Sequence, residues 1–167
     1  LNEGSTALPY EPYNQLFTVP IKKCVGKNLA RSEYPNYEDT VNGTTYKRMT
    51  GVSYFQVYGT PTGICGRTVF RMKIKKAGRY TLSVPNIPIL RLELVRNGVP
   101  FSPITKGTRK LASFNITEDN TIFSVNAVVN ADDTLGTESN PATIELMLTE
   151  DAVGYVEYEP YTEWYEY

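Results

Sequence analysis

The sequence predicts an all-β protein built as an antiparallel β-sandwich. Apolar residues recur at every second position over most of the chain, whereas the spacing of an amphipathic helix is nearly absent. Gly, Pro and Asn clusters separate these runs at intervals of roughly 8–12 residues, which gives about eight to ten short strands. A chain of 167 residues with that many strands favours a jelly-roll sandwich, since an immunoglobulin-like domain needs only about 100 residues.

The run at residues 54–58 alternates two classes of side chain. Tyr54, Gln56 and Tyr58 fall on one face of the predicted strand, and Phe55 and Val57 fall on the other. Residues 111–116 and three further runs have the same two-residue period, which is typical of strands with one face in a core. The sets on one face of these three runs are Leu90, Leu92 and Leu94; Thr121, Phe123, Val125, Ala127 and Val129; and Ile144, Leu146 and Leu148.

A β-hairpin is predicted around the pair Ala77-Gly78. Residues 68–76 before this pair and residues 80–84 after it both alternate. Two such runs joined by a short turn that contains glycine favour direct antiparallel pairing. The apolar faces hold Phe70, Met72 and Ile74 in the first run and Tyr80, Leu82 and Val84 in the second, and a basic face holds Arg71, Lys73 and Lys75.

The remaining segments are predicted as turns and loops. Asn97-Gly98 predicts a tight turn, because both residue types tolerate a positive φ. Residues 28–42 are polar, rich in tyrosine and irregular, so we expect a long loop there. A second long loop is expected at residues 130–141.

The composition excludes several classes of function. The chain has no histidine, which excludes Ser-His-Asp and Cys-His catalysis and histidine-ligated metals. With 17 basic and 18 acidic residues, it carries no excess of positive charge for nucleic acid. No run approaches the roughly 20 apolar residues of a membrane helix, and no signal peptide is evident, so no membrane partner is expected.

The two cysteines are too few for a disulfide framework. We expect Cys24 and Cys65 to be free thiols that serve as small core residues. A single disulfide that closes the loop between them is the alternative.

The tetrapeptide Tyr-Glu-Pro-Tyr occurs twice, at residues 10–13 and 158–161, with similar residues upstream of each copy. We expect the copies to mark the ends of similar modules. Residues 1–15 are then the last strand of a preceding module or a junction, residues 16–161 one jelly-roll module, and residues 162–167 a C-terminal tail. The alternative is that both copies belong to one domain and pair at its base.

Further short motifs occur in order along nearly the whole chain. They are KNL at residues 27–29, VNGTTY at 41–46, VYGTPT at 57–62, KKAGRYTLS at 75–83 and the run at 144–150. Together with the ending LNEGSTALPYEPY at residues 1–13, this ordered set resembles modules of tail and baseplate proteins from phages of Gram-positive bacteria. The second ending, DAVGYV at 151–156, departs from the GSTA pattern of the first.

The resemblance implies a jelly-roll fold similar to carbohydrate-binding modules and a place in the virion, at the tail tip or baseplate and outside the cell. The implied function is non-catalytic adhesion to a host cell-wall saccharide, with other baseplate or tail proteins as partners. Because the chain ends shortly after its second Tyr-Glu-Pro-Tyr copy, we expect the C-terminal module of a multidomain protein. The alternative is a structural or assembly module of the baseplate that binds no sugar.

A first candidate sugar site lies on the run at residues 54–58. Saccharides are bound by flat aromatic faces next to amides and carboxylates. Tyr54 and Tyr58 share a strand face about 13 Å apart, with Gln56 between them. The alternatives are that these tyrosines cover one edge of the core, or that Phe55 and Val57 face outward instead.

A second candidate lies in the predicted loop, where Tyr34, Asn36 and Tyr37 offer two rings and an amide, followed by Glu38 and Asp39. Binding residues frequently lie on loops. The alternative is that these tyrosines attach the loop to a sheet.

An acidic segment, the C-terminal segment and the carboxylates as a set remain to be assigned. The oxygen-rich segment at residues 130–138 contains Asp132 and Asp133, but it lacks the spacing of a calcium loop, so we expect a solvated acidic loop and no metal or cofactor. The aromatic and acidic residues at 157–167, including Trp164, predict docking on a partner, or a strand that folds back on its own sandwich. No motif selects two of the 18 acids as a glycosidase pair, so no enzyme activity is expected.

Overall fold

The computed structural model describes residue 19 and residues 22–107, 109–151 and 154–167, and all regular structure within them is β. This confirms the predicted all-β class. No described segment forms a helix of the length and apolarity needed to span a bilayer. The strands are β1 Lys22–Val25, β2 Tyr37–Val41, β3 Thr44–Arg48, β4 Tyr54–Gly59, β5 Cys65–Ile74, β6 Gly78–Val84, β7 Arg91–Arg96, β8 Val99–Thr105, β9 Lys110–Ile116, β10 Thr121–Val129, β11 Gly136–Thr137, β12 Asn140–Glu145, β13 Met147–Glu150 and β14 Glu163–Glu166.

The strands form antiparallel sheets that pack as a β-sandwich. One sheet has the order β5-β10-β7-β8, a second β11-β12-β4-β3-β2, and a third β13-β6-β9. The third sheet follows directly on the second, because only Leu146 separates β12 from β13. A two-stranded ribbon, β1-β14, joins the two ends of the described chain. The jelly-roll connectivity stays a prediction.

The core lies between the sheets and consists of the inward side chains of the alternating strands. The inward-facing sets predicted for β5, β7 and β10 are buried, except that Leu90 precedes β7 and is half-buried. Three phenylalanines stack in its centre: the rings of Phe114 and Phe123 lie 5.3 Å apart and nearly parallel, and Phe101 meets both edge-on. The two-residue period therefore identified the core faces correctly.

The hairpin predicted at Ala77-Gly78 is wrong. β5 pairs with β10, whereas β6 pairs with β9 and β13, so the chain crosses from one sheet to another at this turn. Residues 80–84 are buried on both faces, as expected for an interior strand of a covered sheet. At the crossing, the backbone N–H of Ala77 donates to Asp119 Oδ1 at 2.8 Å.

Two tight turns have the expected chemistry. Asn97 and Gly98 join β7 to β8, and both have positive φ, 47° and 83°. Asn42 and Gly43 do the same between β2 and β3, with φ of 48° and 75°. Two successive residues with positive φ give a turn whose twist matches the right-handed twist of the flanking strands.

Two predicted boundaries are corrected. Residues 37–41 of the expected 28–42 loop form β2, and residues 136–137 and 140–141 of the expected 130–141 loop belong to β11 and β12. The late run at Ile144, Leu146 and Leu148 is not one strand, because it changes partner from β4 to β6 at Leu146.

The side chain of Asn28 connects three segments of the chain at the point where β12 ends and β13 begins. Its side chain is fully buried and uses all four of its hydrogen-bonding positions. Nδ2 donates to the carbonyls of Leu146 (2.8 Å) and Glu159 (2.7 Å), and Oδ1 accepts from the N–H groups of Ala30 (2.9 Å) and Leu148 (3.0 Å). The amide thus takes the place of a neighbouring strand beside residues 146–148.

The second Tyr-Glu-Pro-Tyr copy, residues 158–161, contacts the segment before β4 through Ser53. The Tyr158 hydroxyl lies 2.7 Å from Ser53 Oγ, and the same Oγ accepts from the backbone N–H of Tyr161 at 3.2 Å. The first copy, at residues 10–13, lies outside the described residues. The proposed division at residues 15 and 161 therefore stays a prediction.

The C-terminal tail continues into β14, which pairs with β1 instead of lying on a sandwich sheet. Trp164, Tyr165 and Tyr167 are each about half exposed or more. Cys24, in β1, and Cys65, in β5, are free thiols. Cys65 lies in the core as predicted, 3.2 Å from the Tyr46 hydroxyl, whereas Cys24 is only half-buried.

Candidate functional site

β4 presents Tyr54, Gln56 and Tyr58 on the outer face of its sheet. Phe55 and Val57 are fully buried beneath them, so the alternative in which these two face outward is wrong. All three outer side chains are half-buried, which leaves part of each ring and amide in contact with solvent. We call the surface formed by Tyr54, Gln56 and Tyr58 the tyrosine platform.

Polar side chains from the adjacent strands surround the tyrosine platform. In the strand register, Thr45 lies opposite Tyr58, and Lys47 and Thr143 lie on either side of Gln56. Residues directly opposite each other in an antiparallel pair share a face. The Gln56 amide nitrogen donates to Thr143 Oγ1 at 3.1 Å. The platform therefore combines ring surface with hydrogen-bonding groups.

Two carboxylates lie near the Tyr58 hydroxyl. It donates to Glu38 Oε1 in a long contact of 3.4 Å. Burial raises the pKa of Tyr58, and the negative charges of Glu138 and Glu38 raise it further. The phenol therefore stays protonated at neutral pH. It can donate a hydrogen bond to a ligand oxygen, while the carboxylates accept from ligand hydroxyls.

The second candidate group lies on the opposite face of the same sheet. Tyr37 is opposite Arg48 in the β2–β3 register, whereas its neighbour Glu38 is opposite Lys47 on the platform side. Because side chains alternate along a strand, Tyr37 points away from the tyrosine platform. The two tyrosine groups do not line one groove.

Tyr34 and Tyr37 are brought together by the guanidinium group of Arg48. Its Cζ lies 5.3 Å from the centre of the Tyr34 ring and 5.1 Å from that of Tyr37, and Arg71 lies 4.7 Å from Tyr34. Asn36 has a structural contact, since its Oδ1 accepts from the backbone N–H of Thr50 at 2.8 Å. These contacts favour a role in attaching the 32–36 segment to the sheet, although Tyr37 remains 57% exposed.

Arg48 was not identified as important from the sequence. It is buried, donates from Nε to the carbonyl of Thr68 at 2.6 Å, and lies 3.4 Å from Asp39 Oδ1. Asp39 also pairs with Arg67 at 3.0 Å. The one sequence signal was an arginine at an inward-facing position of a strand. Such a position indicates a buried polar contact, but it does not identify the residue contacted.

Arg48→Lys is expected to destabilise the fold by about 1–2 kcal/mol, because an ammonium group cannot stack on two rings and reach the Thr68 carbonyl at once. Urea unfolding measures the difference. Arg79→Lys, at an exposed position of β6, is the matched control. Equal stability of the two variants would contradict the structural role assigned to Arg48.

The acidic segment at residues 130–138 is organised around a buried aspartate. The Asp133 carboxylate has no exposed surface and accepts from the N–H groups of Leu90 (2.9 Å) and Asn130 (2.8 Å). It also binds the Lys106 ammonium group. The expectation of a solvated loop is therefore wrong at Asp133, whereas Asp132 and Glu138 are exposed. The described part of the chain contains no group of three or more His, Cys, Asp and Glu side chains arranged to hold a metal ion.

Comparison with known proteins assigns no family to this chain. No model of a known protein family matches the sequence, and a search of curated proteins finds no significant match.

Proposed function

We propose that this protein is a non-catalytic saccharide-binding module of a phage tail or baseplate, which assists adhesion to a Gram-positive cell wall. The observation that carries the proposal is the outward position of Tyr54, Gln56 and Tyr58 over a buried Phe55 and Val57. The place in the virion rests on the motifs that resemble phage tail modules.

The tyrosine platform has the chemistry of a sugar site. Sugar rings present apolar C–H groups on their faces and hydroxyls around their edges. An aromatic ring contacts the C–H groups, and amide, hydroxyl and carboxylate groups bind the hydroxyls. Tyr54 and Tyr58 lie about 13 Å apart on the strand, so one glycan chain of two or three rings can contact both.

A shallow surface of this kind binds weakly as a single copy. Little of the ligand is enclosed, and the half-buried side chains offer few hydrogen bonds per sugar ring. Many copies on one virion raise the effective concentration of sites and supply avidity. The binding experiment therefore uses the module coupled at high density to beads.

The test is binding of these beads to purified cell walls from a panel of Gram-positive bacteria. Replacing both platform tyrosines, Tyr54→Ala with Tyr58→Ala, is expected to weaken binding by at least about tenfold, about 1.4 kcal/mol. Tyr165→Ala, which removes a half-exposed tyrosine from β14, is the matched control. Full binding by the double variant would reject the tyrosine platform, and a loss with Tyr37→Ala would move the site to the opposite face.

The second candidate function is a structural module of the baseplate that binds no saccharide. The exposed aromatic side chains of the β1–β14 ribbon favour it, since aromatic residues are enriched where subunits meet. Absence of wall binding by the densely coupled parent module would support this function.

A further inference from the structure

A groove lies where the β1–β14 ribbon meets the sandwich, away from the tyrosine platform. It has a volume of about 440 Å³ and runs between β1, residues 29–33, the end of β5 and β13. Buried Met72, Ile74 and Leu148 lie beneath it, and its accessible apolar surface comes from Val25, which is exposed, and from Leu29 and Tyr161, which are half-buried. The groove combines accessible apolar groups with polar walls, which is the usual composition of a ligand site.

The walls of this groove carry an excess of positive charge, although the whole protein does not. Five cations line it: Lys23, Arg31, Lys73, Lys75 and Lys76. The carboxylates that line it are Glu33 and Glu150. Among the described residues, no acidic side chain lies within ion-pair distance of Lys73, Lys75 or Lys76. We call this surface the basic groove.

A carboxylate of the chain itself lies beside the basic groove. Glu163, in β14, forms an ion pair with Lys23 across the ribbon. The hydrogen bond from Lys23 lowers the pKa of Glu163, and the charges of Lys23, Arg31 and Lys75 lower it further. The positive field of these side chains thus already favours an anionic carboxylate at this position.

We propose that the basic groove binds an acidic saccharide, with its carboxylates held by Lys73, Lys75 and Lys76 and its rings lying against Val25, Leu29 and Tyr161. Tyr161 lines the groove with the Arg31 guanidinium over its ring, 5.8 Å from the centre, and offers an aromatic surface to a sugar. Lys73 and Lys75 also line the groove, from the strand face opposite to Met72 and Ile74. They lie two residues apart, about 7 Å, so they can contact successive charges.

An acidic peptide fits this surface less well. A peptide would gain most of its affinity by adding a strand to the free edge of β5. That edge is already occupied at Arg71, whose carbonyl accepts from the N–H of Glu33 at 2.7 Å. Beyond Arg71 the groove also offers side-chain charges and accessible apolar groups, which a saccharide can use without pairing as a strand. The proposal does not depend on the tyrosine platform, which lies on a different sheet.

The test measures binding of oligogalacturonate to the whole chain by calorimetry. Lys73→Glu with Lys75→Glu is expected to weaken binding at least tenfold, and added salt is expected to weaken binding by the parent. The matched control is Lys22→Glu with Lys110→Glu, which makes the same change in net charge at exposed positions outside the groove. Thermal unfolding of both double variants shows whether each remains folded.

Three outcomes would overturn the proposal. They are no binding of oligogalacturonate by the parent, equal losses in the two double variants, and equal binding of the neutral methyl-esterified oligomer. Binding of poly-glutamate is measured in the same way. If poly-glutamate binds more tightly than oligogalacturonate, and the Lys73→Glu, Lys75→Glu variant no longer binds it, the ligand is an acidic peptide instead. Retained binding by the Tyr54→Ala, Tyr58→Ala variant is expected and separates this site from the tyrosine platform.

Discussion

Replacing Asn28 by alanine is expected to destabilise the folded protein by about 3–5 kcal/mol, the largest effect of any single polar substitution proposed for this chain. The side chain is fully buried and makes four hydrogen bonds. Alanine leaves the carbonyls of Leu146 and Glu159 and the N–H groups of Ala30 and Leu148 without this partner. It also leaves a cavity where three segments of the chain meet.

The aspartate variant separates hydrogen bonding from packing. Asn28→Asp keeps the shape of the side chain but replaces its NH₂ group by an acceptor that faces two carbonyl oxygens. We therefore expect a loss comparable to that of alanine, although almost no volume is removed. If the aspartate variant were as stable as the parent, packing and not hydrogen bonding would explain the role of Asn28.

Urea unfolding followed by circular dichroism measures both Asn28 variants. Asn115→Ala is the matched control, because Asn115 is exposed on β9 and its removal is expected to change stability by less than about 0.5 kcal/mol. An equal change at both positions would contradict the place given to Asn28 in the fold.

Replacing Asp133 by alanine is expected to cost about 2–4 kcal/mol, because two backbone N–H groups lose their acceptor. These are the N–H groups of Leu90 and Asn130, which are 40 residues apart in sequence. The carboxylate therefore ties the start of β7 to the loop that follows β10. Lys106 also loses its partner, and its pKa, which its hydrogen bond to Asp133 raises, is expected to fall toward its ordinary value.

The neighbouring residue provides the control for Asp133. Asp132 carries the same side chain one position earlier but is exposed, so Asp132→Ala is expected to change stability by less than about 0.5 kcal/mol. Thermal unfolding of the two variants gives the comparison. Similar melting temperatures would show that residue 133 contributes no more than a solvated acid does.

The alternation of side chains predicted the faces of the strands well. β4, β5 and β10 each bury the set expected from the sequence, as does β7 except for Leu90, and the Asn-Gly pairs at residues 42–43 and 97–98 form tight turns. These features are local, because the pleat of a strand and the φ preference of a turn depend on a few adjacent residues. The outward position of the tyrosine platform follows from the same alternation.

Strand partners were predicted less well. The runs on either side of Ala77-Gly78 resemble a hairpin, yet they belong to different sheets. Short-range signals do not distinguish a turn within one sheet from a crossing between two, since both need a compact bend between alternating strands. The change of partner at Leu146 was missed for the same reason.

The sequence by itself determined the all-β class and the alternating faces of most main strands, because each follows from neighbouring residues. Only the tertiary structure decided which tyrosines share a surface and which polar side chains are buried. Asn28 meets partners 118 and 131 residues away, and Tyr34 and Tyr37 meet on Arg48. Such contacts depend on how distant strands pair, and this is set by the packing of the whole core.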